Sequence, residues 1–163
     1  MKNDKTDNHE QLFWEEIDRL FPDMIKAIAS LSKKSYLSIT NLRTGITWWS
    51  ERAMDYFGMK ENYTIRGMEK ANRKIHPDDV ATFKRGFKER VDGKNLDTAW
   101  EYRIQDGDSY NRFNAMARVL YDEQKQPFII IIRYDNYGIS DEVDSVTGLY
   151  TEPALNRHIT QLL

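Results

Sequence analysis

Three β-type runs, joined only by short polar turns, constrain the fold of this chain more than any other feature. They cover residues 98–105, 110–121 and 128–134, and each is rich in aromatic and aliphatic side chains. The turns at 106–108 and 122–126 carry the Asp, Gly and other polar residues that favour tight turns. Because such turns are too short for a crossover helix, consecutive runs must pair antiparallel. The sequence therefore predicts an antiparallel meander.

The hydrophobic pattern of these runs differs along the chain. In residues 98–105 large apolar side chains alternate with charged ones, and residues 110–121 show a second alternation. Each of these strands should bury one face and expose the other. Residues 128–132, in contrast, read Phe-Ile-Ile-Ile-Ile and are apolar at every position. This pattern predicts a central strand that is covered on both faces.

Helix signals precede the meander. Pro77 suits a first helical position, two acidic residues follow it in the first turn, and apolar residues recur at helical spacing as far as Val91. A shorter helix is predicted between Ser50, as the N-cap, and Gly58, as a left-handed C-cap. The two short β-type runs just before Ser50 are predicted to pair as a hairpin.

An amphipathic stripe marks the N-terminal region, where apolar residues recur at helical spacing from Phe13 to Leu31. Because proline inside a helix costs about 3 kcal/mol, Pro22 predicts a break with a second helix starting there. The stripe has two interpretations, packing against its own domain or forming the seam of a dimer. The pattern is too short to indicate a coiled coil, and both interpretations stay open.

Composition excludes several classes of protein. The chain has 163 residues, 40% of them apolar, which suits one compact domain with short appendages. Its net charge of -2 gives no general attraction to nucleic acid or to an anionic membrane, so neither is an expected partner. Without cysteine, disulfides, thiolate sites and cysteinyl-flavin adducts are excluded. No apolar run approaches the roughly 18 residues of a membrane span, and we expect a soluble, cytoplasmic chain.

Residues with recognisable chemistry are few. The sequence contains no phosphate-binding glycine loop and no nucleophile motif. The three histidines are dispersed, so no metal site is expected. His76 is interpreted as the cap of the helix at Pro77, with a haem ligand as the alternative. Arg103 and Arg118 would suit a carboxylate if they faced inward, which the alternation does not decide.

The order of elements, together with three short phrases, resembles a PAS domain. His-Pro-Asp-Asp at 76–79 is similar to the phrase that opens the long helix of many PAS sensors. Glu-Tyr-Arg-Ile at 101–104 with Asp-Gly at 106–107 resembles their strand and turn, and Asp-Glu at 122–123 resembles their next hairpin. The resemblance implies an α+β fold, with a five-stranded antiparallel sheet and short helices on one face. It also implies an interior able to hold a small ligand or cofactor, and a sheet face that often makes dimer contacts.

Large side chains on the predicted sheet are the candidates for a ligand pocket in such a fold. Filling of the core or of a dimer interface is the alternative interpretation, because aromatic residues dominate both settings. No cofactor is evident, and an unknown small-molecule ligand is left open. The candidate pocket residues are Trp48, Trp100, Tyr102, Phe113, Met116 and Ile130.

A second resemblance begins at Asp144, where the chain reads Asp-Ser-Val-Thr-Gly-Leu-Tyr. The phrase is similar to the opening of the GGDEF domain, the diguanylate cyclase module, but Thr151 and Glu152 replace the usual Asn-Arg. A turn before a C-terminal helix is the alternative. In that family the guanine-binding and metal-binding residues and the Gly-Gly-[Asp/Glu]-Glu-Phe hairpin lie further downstream. No cyclase activity is therefore expected of this chain itself.

Four segments are predicted from these resemblances. They are an N-terminal helical extension at 1–34, a PAS-like sensor at 35–135, a short linker at 136–143 and the truncated start of a GGDEF-like domain at 144–163. Even if wholly helical, the nine positions from Asp135 to Asp144 would span only about 13 Å. The sensor is therefore expected to dock almost directly against the domain that follows.

The expected function is that of a sensory and interaction module that regulates a C-terminal GGDEF domain. The parent protein would then make cyclic di-GMP from GTP. Expected partners are the chain's own GGDEF domain and a second copy, through the N-terminal helical segment or the sheet face. Two alternatives stay open: a ligand-free dimerisation scaffold for a degenerate GGDEF or other effector domain, and a haem or flavin sensor.

Overall fold

The computed structural model describes residues 20–31 and 35–139, together with Leu149 and Ile159. Helix α1, Phe21–Ser30, has Pro22 in its first turn, as the sequence predicts for a helix that starts there. This helix belongs to the first of two units of the chain, Met1–Lys33, and the sheet belongs to the second, Lys34–Leu163. Large apolar side chains remain exposed on and beside α1, and Leu31 is 84% exposed. The part of the predicted stripe before Leu20, and the segment from 140 on apart from Leu149 and Ile159, lie outside the described residues.

A single antiparallel sheet organises the second unit. Its strands are β1 Ser35–Asn41, β2 Ile46–Trp49, β3 Tyr63–Ile65, β4 Trp100–Asp106, β5 Ser109–Tyr121 and β6 Pro127–Ile139. Between β2 and β4 lie helices α2 Glu51–Phe57, α3 Gly67–Asn72 and α4 Val80–Val91, with a 3-10 helix at Pro77–Asp79.

The strand order is β3-β2-β1-β6-β5-β4, and all neighbours pair antiparallel. The predicted hairpin of β1 and β2 and the meander of β4, β5 and β6 are confirmed. Strand β6 lies between β1 and β5, which confirms its predicted central position. It runs to Ile139, so the strand includes the first four residues of the segment that the sequence predicts as a linker.

The prediction of five strands is wrong, because the sheet has six. The additional strand is β3, three residues long, which pairs with β2 through Thr64 opposite Thr47. Its Tyr-Thr-Ile sequence favours an extended backbone, since aromatic and β-branched side chains suit a pleated sheet. A run of three residues is too short to show the two-residue alternation of a strand, so β3 could not be predicted from the sequence.

Capping residues set the ends of the helices, as predicted. The Ser50 hydroxyl accepts a hydrogen bond from the Ala53 amide at 3.4 Å and so caps α2. Gly58 ends the same helix with a left-handed backbone at φ 69°, which glycine adopts without steric cost. His76 Nδ1 accepts from the Asp78 amide at 3.1 Å, which confirms the predicted cap of the helical segment at Pro77.

The hydrophobic core lies between one face of the sheet, here called the inner face, and helices α2 to α4. The inner face of β4, β5 and β6 is apolar, with Ile104, Phe113 and Ile132 almost fully buried. The helices contribute Phe57, Phe83 and smaller residues to the same cluster. The fold is therefore an α+β domain with an antiparallel sheet and short helices on one face, as expected.

Candidate functional site

The interior between the inner face and the helices is where a ligand of a domain with this shape would lie. Four of the six candidate pocket residues, Trp100, Tyr102, Phe113 and Ile130, are on the inner face and at most 7% exposed. Of these four, only Tyr102 lines a small internal cavity among the described residues. The others fill the core by packing against neighbouring side chains. Whether any of them contacts a ligand stays a prediction.

Trp48 and Met116 do not join these four residues. Trp48 lies next to the fully buried Trp49 in β2, and successive side chains of a strand point to opposite faces. Trp48 pairs with Ile39 and Tyr63 on the outer face of the sheet. Met116 alternates with the inward-facing alanines of β5 and also lies on the outer face. The six residues therefore cannot line a single interior pocket.

The internal cavity has a volume of about 10 Å³, enough for about one water molecule. The rings around it occupy the remaining space: Phe57 lies 5.7 Å from Tyr134, and Phe83 lies 4.9 Å from Tyr102, both centroid to centroid. Such contacts stabilise a filled aromatic core. In this conformation the cavity beside Tyr102 is too small for an organic ligand. The cavity is lined by Phe57, Ala71, Asn72, Ile75, Tyr102, Ile104 and Tyr134.

Two tyrosine hydroxyls are buried in this interior and differ in their partners. The Tyr134 hydroxyl lies 3.1 Å from the Ser38 hydroxyl, and burial raises the pKa of Tyr134. The Tyr102 hydroxyl has no hydrogen-bond partner among the described residues, and burial raises its pKa as well. A neutral Tyr102 beside a cavity of this size could bond one water molecule.

A row of hydroxyl-bearing residues continues this polar region across the inner face of β1, β2 and β3. Thr40 and Thr47 are at most 4% exposed and their hydroxyls lie 2.9 Å apart. Ser38 and Thr64 are buried in the same row, at 0% and 8% exposure. Sequence analysis missed this row. The signal is the alternation of small polar residues in β1, which resembles a solvent-facing pattern when the buried face is unknown.

An arginine is buried where α4 meets β4. Arg90 is 2% exposed, and its guanidinium lies 4.0 Å above the Trp100 ring. It donates to the carbonyl of Gly86 at 3.0 Å and to that of Thr98 at 2.5 Å, and burial lowers the pKa of Arg90. A Cβ on Gly86 would lie 2.9 Å from Trp100, so only glycine permits this close approach. These contacts fasten the helix to the sheet.

Charged groups meet at the outer edge of β4. Arg103 donates to both carboxylate oxygens of Asp79 at 2.8 Å, and its backbone amide donates to the same carboxylate. The Arg103 hydrogen bonds hold the pKa of Asp79 below its usual value. An open groove of about 170 Å³ beside this pair is also lined by Glu101 and Arg112. Because two cations and two carboxylates share the groove, their charges balance.

The arginines whose direction the sequence left undecided, Arg103 and Arg118, both lie on the outer side of the sheet. Arg118 donates to Asp97 at 3.0 Å and to the Leu96 carbonyl in the loop before β4. Neither arginine faces the interior, so neither can bind a carboxylate there. Among the described residues, no group of three or more His, Asp or Glu side chains could hold a metal ion.

A six-stranded antiparallel sheet closed by short helices over an aromatic interior defines a small α+β domain. The sequence model of the PAS fold matches residues 46–132, more than half of the chain, and the chain therefore belongs to the PAS-fold family. No curated protein sequence matches the chain.

Solved structures of PAS-containing proteins have the same fold. A sensory box histidine kinase/response regulator from Burkholderia thailandensis superposes with a TM-score of 0.54 at 15% identity, covering 86% of this chain and 92% of that one. The N-terminal domain of a diguanylate cyclase with PAS/PAC sensor from Marinobacter aquaeolei gives 0.53 at 15% identity, over 64% and 96%. The PAS domain of Bordetella pertussis BvgS gives 0.53 at 11% identity, over 89% and 96%. At these identities the similarity establishes the fold alone.

In the part of the chain that the structure describes, no helix has the length and apolar character required to cross a membrane.

Proposed function

We propose that this chain is the regulatory input module of a longer signalling protein whose next domain is a GGDEF domain. The observation that carries the proposal is the Asp-Ser-Val-Thr-Gly-Leu-Tyr phrase at 144–150, which follows the PAS domain almost immediately. Only residues 140–143 separate the end of β6 from Asp144. The output of the whole protein would be cyclic di-GMP made from GTP, by residues beyond Leu163.

The short connection supports a direct mechanical coupling. Strand β6 pairs with β1 from Ile129 to Asp135 and with β5 as far as its last residue, Ile139, so a shift of the sheet moves Ile139. Asp135 accepts a hydrogen bond from the Ser35 hydroxyl and lies 3.2 Å from the Arg133 guanidinium. These contacts connect Ser35, the first residue of β1, to β6, the strand that leads toward the following domain. A change in the sheet would therefore reach the following domain through four residues.

Cyclic di-GMP formation by the full-length protein tests this proposal. Inserting Gly-Ser-Gly-Ser after Ile139 should change the rate of cyclic di-GMP formation severalfold, because a flexible connection transmits less displacement. The matched control is the same insertion in the exposed β4-β5 turn, after Gly107, which should leave the rate unchanged. If the gene has no Gly-Gly-[Asp/Glu]-Glu-Phe sequence in the hundred or so residues after Leu163, the proposal of an active cyclase is wrong.

The filled interior favours a second candidate, a ligand-free scaffold that acts through protein contacts. The close packing of core rings such as Phe57, Tyr134 and Tyr102, around a cavity of only about 10 Å³, supports this candidate over a sensor that holds haem, flavin or another organic molecule. Native mass spectrometry and an absorbance spectrum of the purified chain would distinguish the two. The scaffold predicts the mass of the polypeptide alone. It also predicts no absorbance beyond the tryptophan band, which ends at about 300 nm, as expected for a protein without such a cofactor. A co-purified molecule would contradict it.

Self-association forms part of the same proposal. Phe21, Ile28 and Leu31 on and beside α1 are 52%, 57% and 84% exposed, which suits a helix that packs against a second copy. The outer face of the sheet is the other candidate surface for a homodimer. Removal of residues 1–34 should abolish a dimer formed by the helix and leave one formed by the sheet face, which sedimentation measurements would distinguish.

A further inference from the structure

Among the residues that the structure describes, the β3 edge of the sheet has backbone groups without a hydrogen-bond partner. The Arg66 amide donates to the Gly45 carbonyl at 3.1 Å, and the Trp49 amide donates to the Asn62 carbonyl at 2.8 Å. Thr64 opposite Thr47 lies between these two pairs, at the same spacing of two residues. Since hydrogen-bonded pairs alternate along an antiparallel ladder, the Thr64 N–H and C=O point to β2.

The same alternation directs the N–H and C=O groups of Tyr63 and Ile65 away from the sheet. No described residue forms a hydrogen bond with them. The side chains of Tyr63 and Ile65 are 61% and 70% exposed and lie on the outer face. They are directly opposite Trp48 and Ile46, so the edge is bordered by apolar residues. Within β3 itself there is no proline, charge or bulge of the kind that protects an exposed edge.

We propose that this edge pairs with the β3 edge of a second copy of the chain, antiparallel and about a two-fold axis at Thr64. Tyr63 of each copy then lies opposite Ile65 of the other. Each of these two pairs exchanges two backbone hydrogen bonds, so four bonds satisfy all eight free groups. Thr64 bonds β2, and only its two neighbours in β3 direct their backbone groups outward. The edge is therefore complementary to the same edge of a second copy in this register.

Side chains and charges favour the same arrangement. In this pairing, one row of side chains crosses the junction between the copies. It consists of Trp48 and Tyr63 of one copy followed by Ile65 and Ile46 of the other, and the two-fold axis generates a second, identical row. Glu61 precedes β3 and Arg66 follows it, so antiparallel pairing brings opposite charges together at both ends. Arg66 Nε is 3.9 Å from Glu69 and 76% of its side chain is exposed, which leaves it accessible to the second copy.

The contact is small, because only three residues of each copy pair. Stable interfaces bury about 800 Å² on each partner, and three residues provide less. We therefore expect weak, concentration-dependent association from this edge alone. The inference does not depend on a GGDEF domain, and the edge is a different surface from α1 and from the sheet face considered above.

Sedimentation velocity of the chain, over concentrations from about 10 µM to 1 mM, measures this association. The wild type should show an average sedimentation coefficient that rises with concentration. Ile65→Pro should weaken association about tenfold or more, because the ring removes a donor and obstructs the second copy. The Ile65 N–H has no partner in its own sheet, so this substitution leaves the monomer intact. Lys84→Ser is the control, since Lys84 is exposed on α4, which is neither the β3 edge nor one of the surfaces considered above; it should associate like the wild type.

Amide hydrogen exchange of the wild type tests the register without any substitution. As concentration rises, the amides of Tyr63 and Ile65 should exchange more slowly, whereas the Thr64 amide should stay protected throughout. Association without slower exchange at Tyr63 and Ile65 would place the interface elsewhere and overturn the inference. A chain that remains monomeric at 1 mM would also overturn it and leave the edge to an extended peptide of another protein.

Discussion

The two edges of the sheet differ in how their backbone groups are bonded. Along β4, the chain segment from Lys74 to Asp79 covers the edge from Arg103 to Gln105. The Gln105 amide donates to the Lys74 carbonyl at 2.8 Å, the His76 amide donates to the Arg103 carbonyl at 2.9 Å, and Asp79 bonds Arg103. Along β3, the corresponding backbone groups of Tyr63 and Ile65 have no partner among the described residues.

The difference shows how one edge is closed locally. Pro77 and the His76 cap fix the turn into α4, and this turn brings Asp79 against β4. No comparable turn follows β3, because Arg66, in a left-handed conformation at φ 53°, leads the chain directly into α3. In the described part of the chain, β3 is therefore the edge whose backbone groups remain available for contacts with other molecules.

Proline substitutions should separate the two edges by the largest margin. Gln105→Pro removes the amide that bonds Lys74 and leaves that carbonyl without a donor, so we expect a loss of about 3 kcal/mol in the free energy of unfolding. Ile65→Pro removes an amide that faces away from the sheet, and its effect should be within about 0.5 kcal/mol. Urea denaturation measures both. Equal losses would contradict the difference between the edges.

Asp79→Ala should open the closed edge. It removes the acceptor of two guanidinium bonds and one backbone bond, and we expect a loss of about 2 kcal/mol in unfolding free energy. Asp78→Ala is the matched control, because 81% of the Asp78 side chain is exposed, and it should change stability by about 0.5 kcal/mol or less. Similar losses in the two variants would show that the ion pair does not hold the edge.

The same carboxylate gives the closed edge a pH dependence. The folded-state pKa of Asp79 lies below its usual value of 3.8, chiefly because of the hydrogen bonds from Arg103. Its contribution is therefore present in full above the unfolded pKa and is lost as pH falls through the folded value. The wild type should be more stable than Asp79→Asn at pH 6, and this advantage should shrink toward about pH 2. An advantage that grew at low pH would contradict the assignment.

The cap at the start of this segment should have a smaller effect. His76→Ala removes the acceptor for the Asp78 amide, and such caps contribute about 1 kcal/mol. His76→Asn supplies another side-chain acceptor and should recover most of the loss. If asparagine were no better than alanine, the contact of His76 with the Tyr110 ring, 4.5 Å between centroids, would account for the effect of the histidine instead.

Much of this organisation could be predicted from the sequence. The Ser50 and His76 caps and the left-handed Gly58 follow from local chemistry that the chain shows directly. The isoleucine run of β6 predicts its central position, which is confirmed, but Ile129 and Ile131 on the outer face are only half-buried among the described residues, so the predicted cover on both faces is not seen there.

The parts that the sequence could not provide have physical reasons. Alternation shows that Trp48 and Trp49 point in opposite directions, but it does not show which of them faces the helices. Strand β3 is too short to have a period, and its identity as an edge depends on its pairing with β2. Asp79 and Arg103 form their ion pair although they are 24 positions apart in the chain. Neither the closed edge nor its difference from the β3 edge could therefore be predicted from the sequence.

Amide hydrogen exchange at low protein concentration tests the asymmetry of the edges most directly. The amides of His76, Arg103 and Gln105 should exchange slowly, because each donates a hydrogen bond that closes the β4 edge. The amides of Tyr63 and Ile65 should exchange fast, while Thr64 between them is protected. Protected Tyr63 and Ile65 amides in the dilute monomer, or fast exchange at Arg103 and Gln105, would contradict the account.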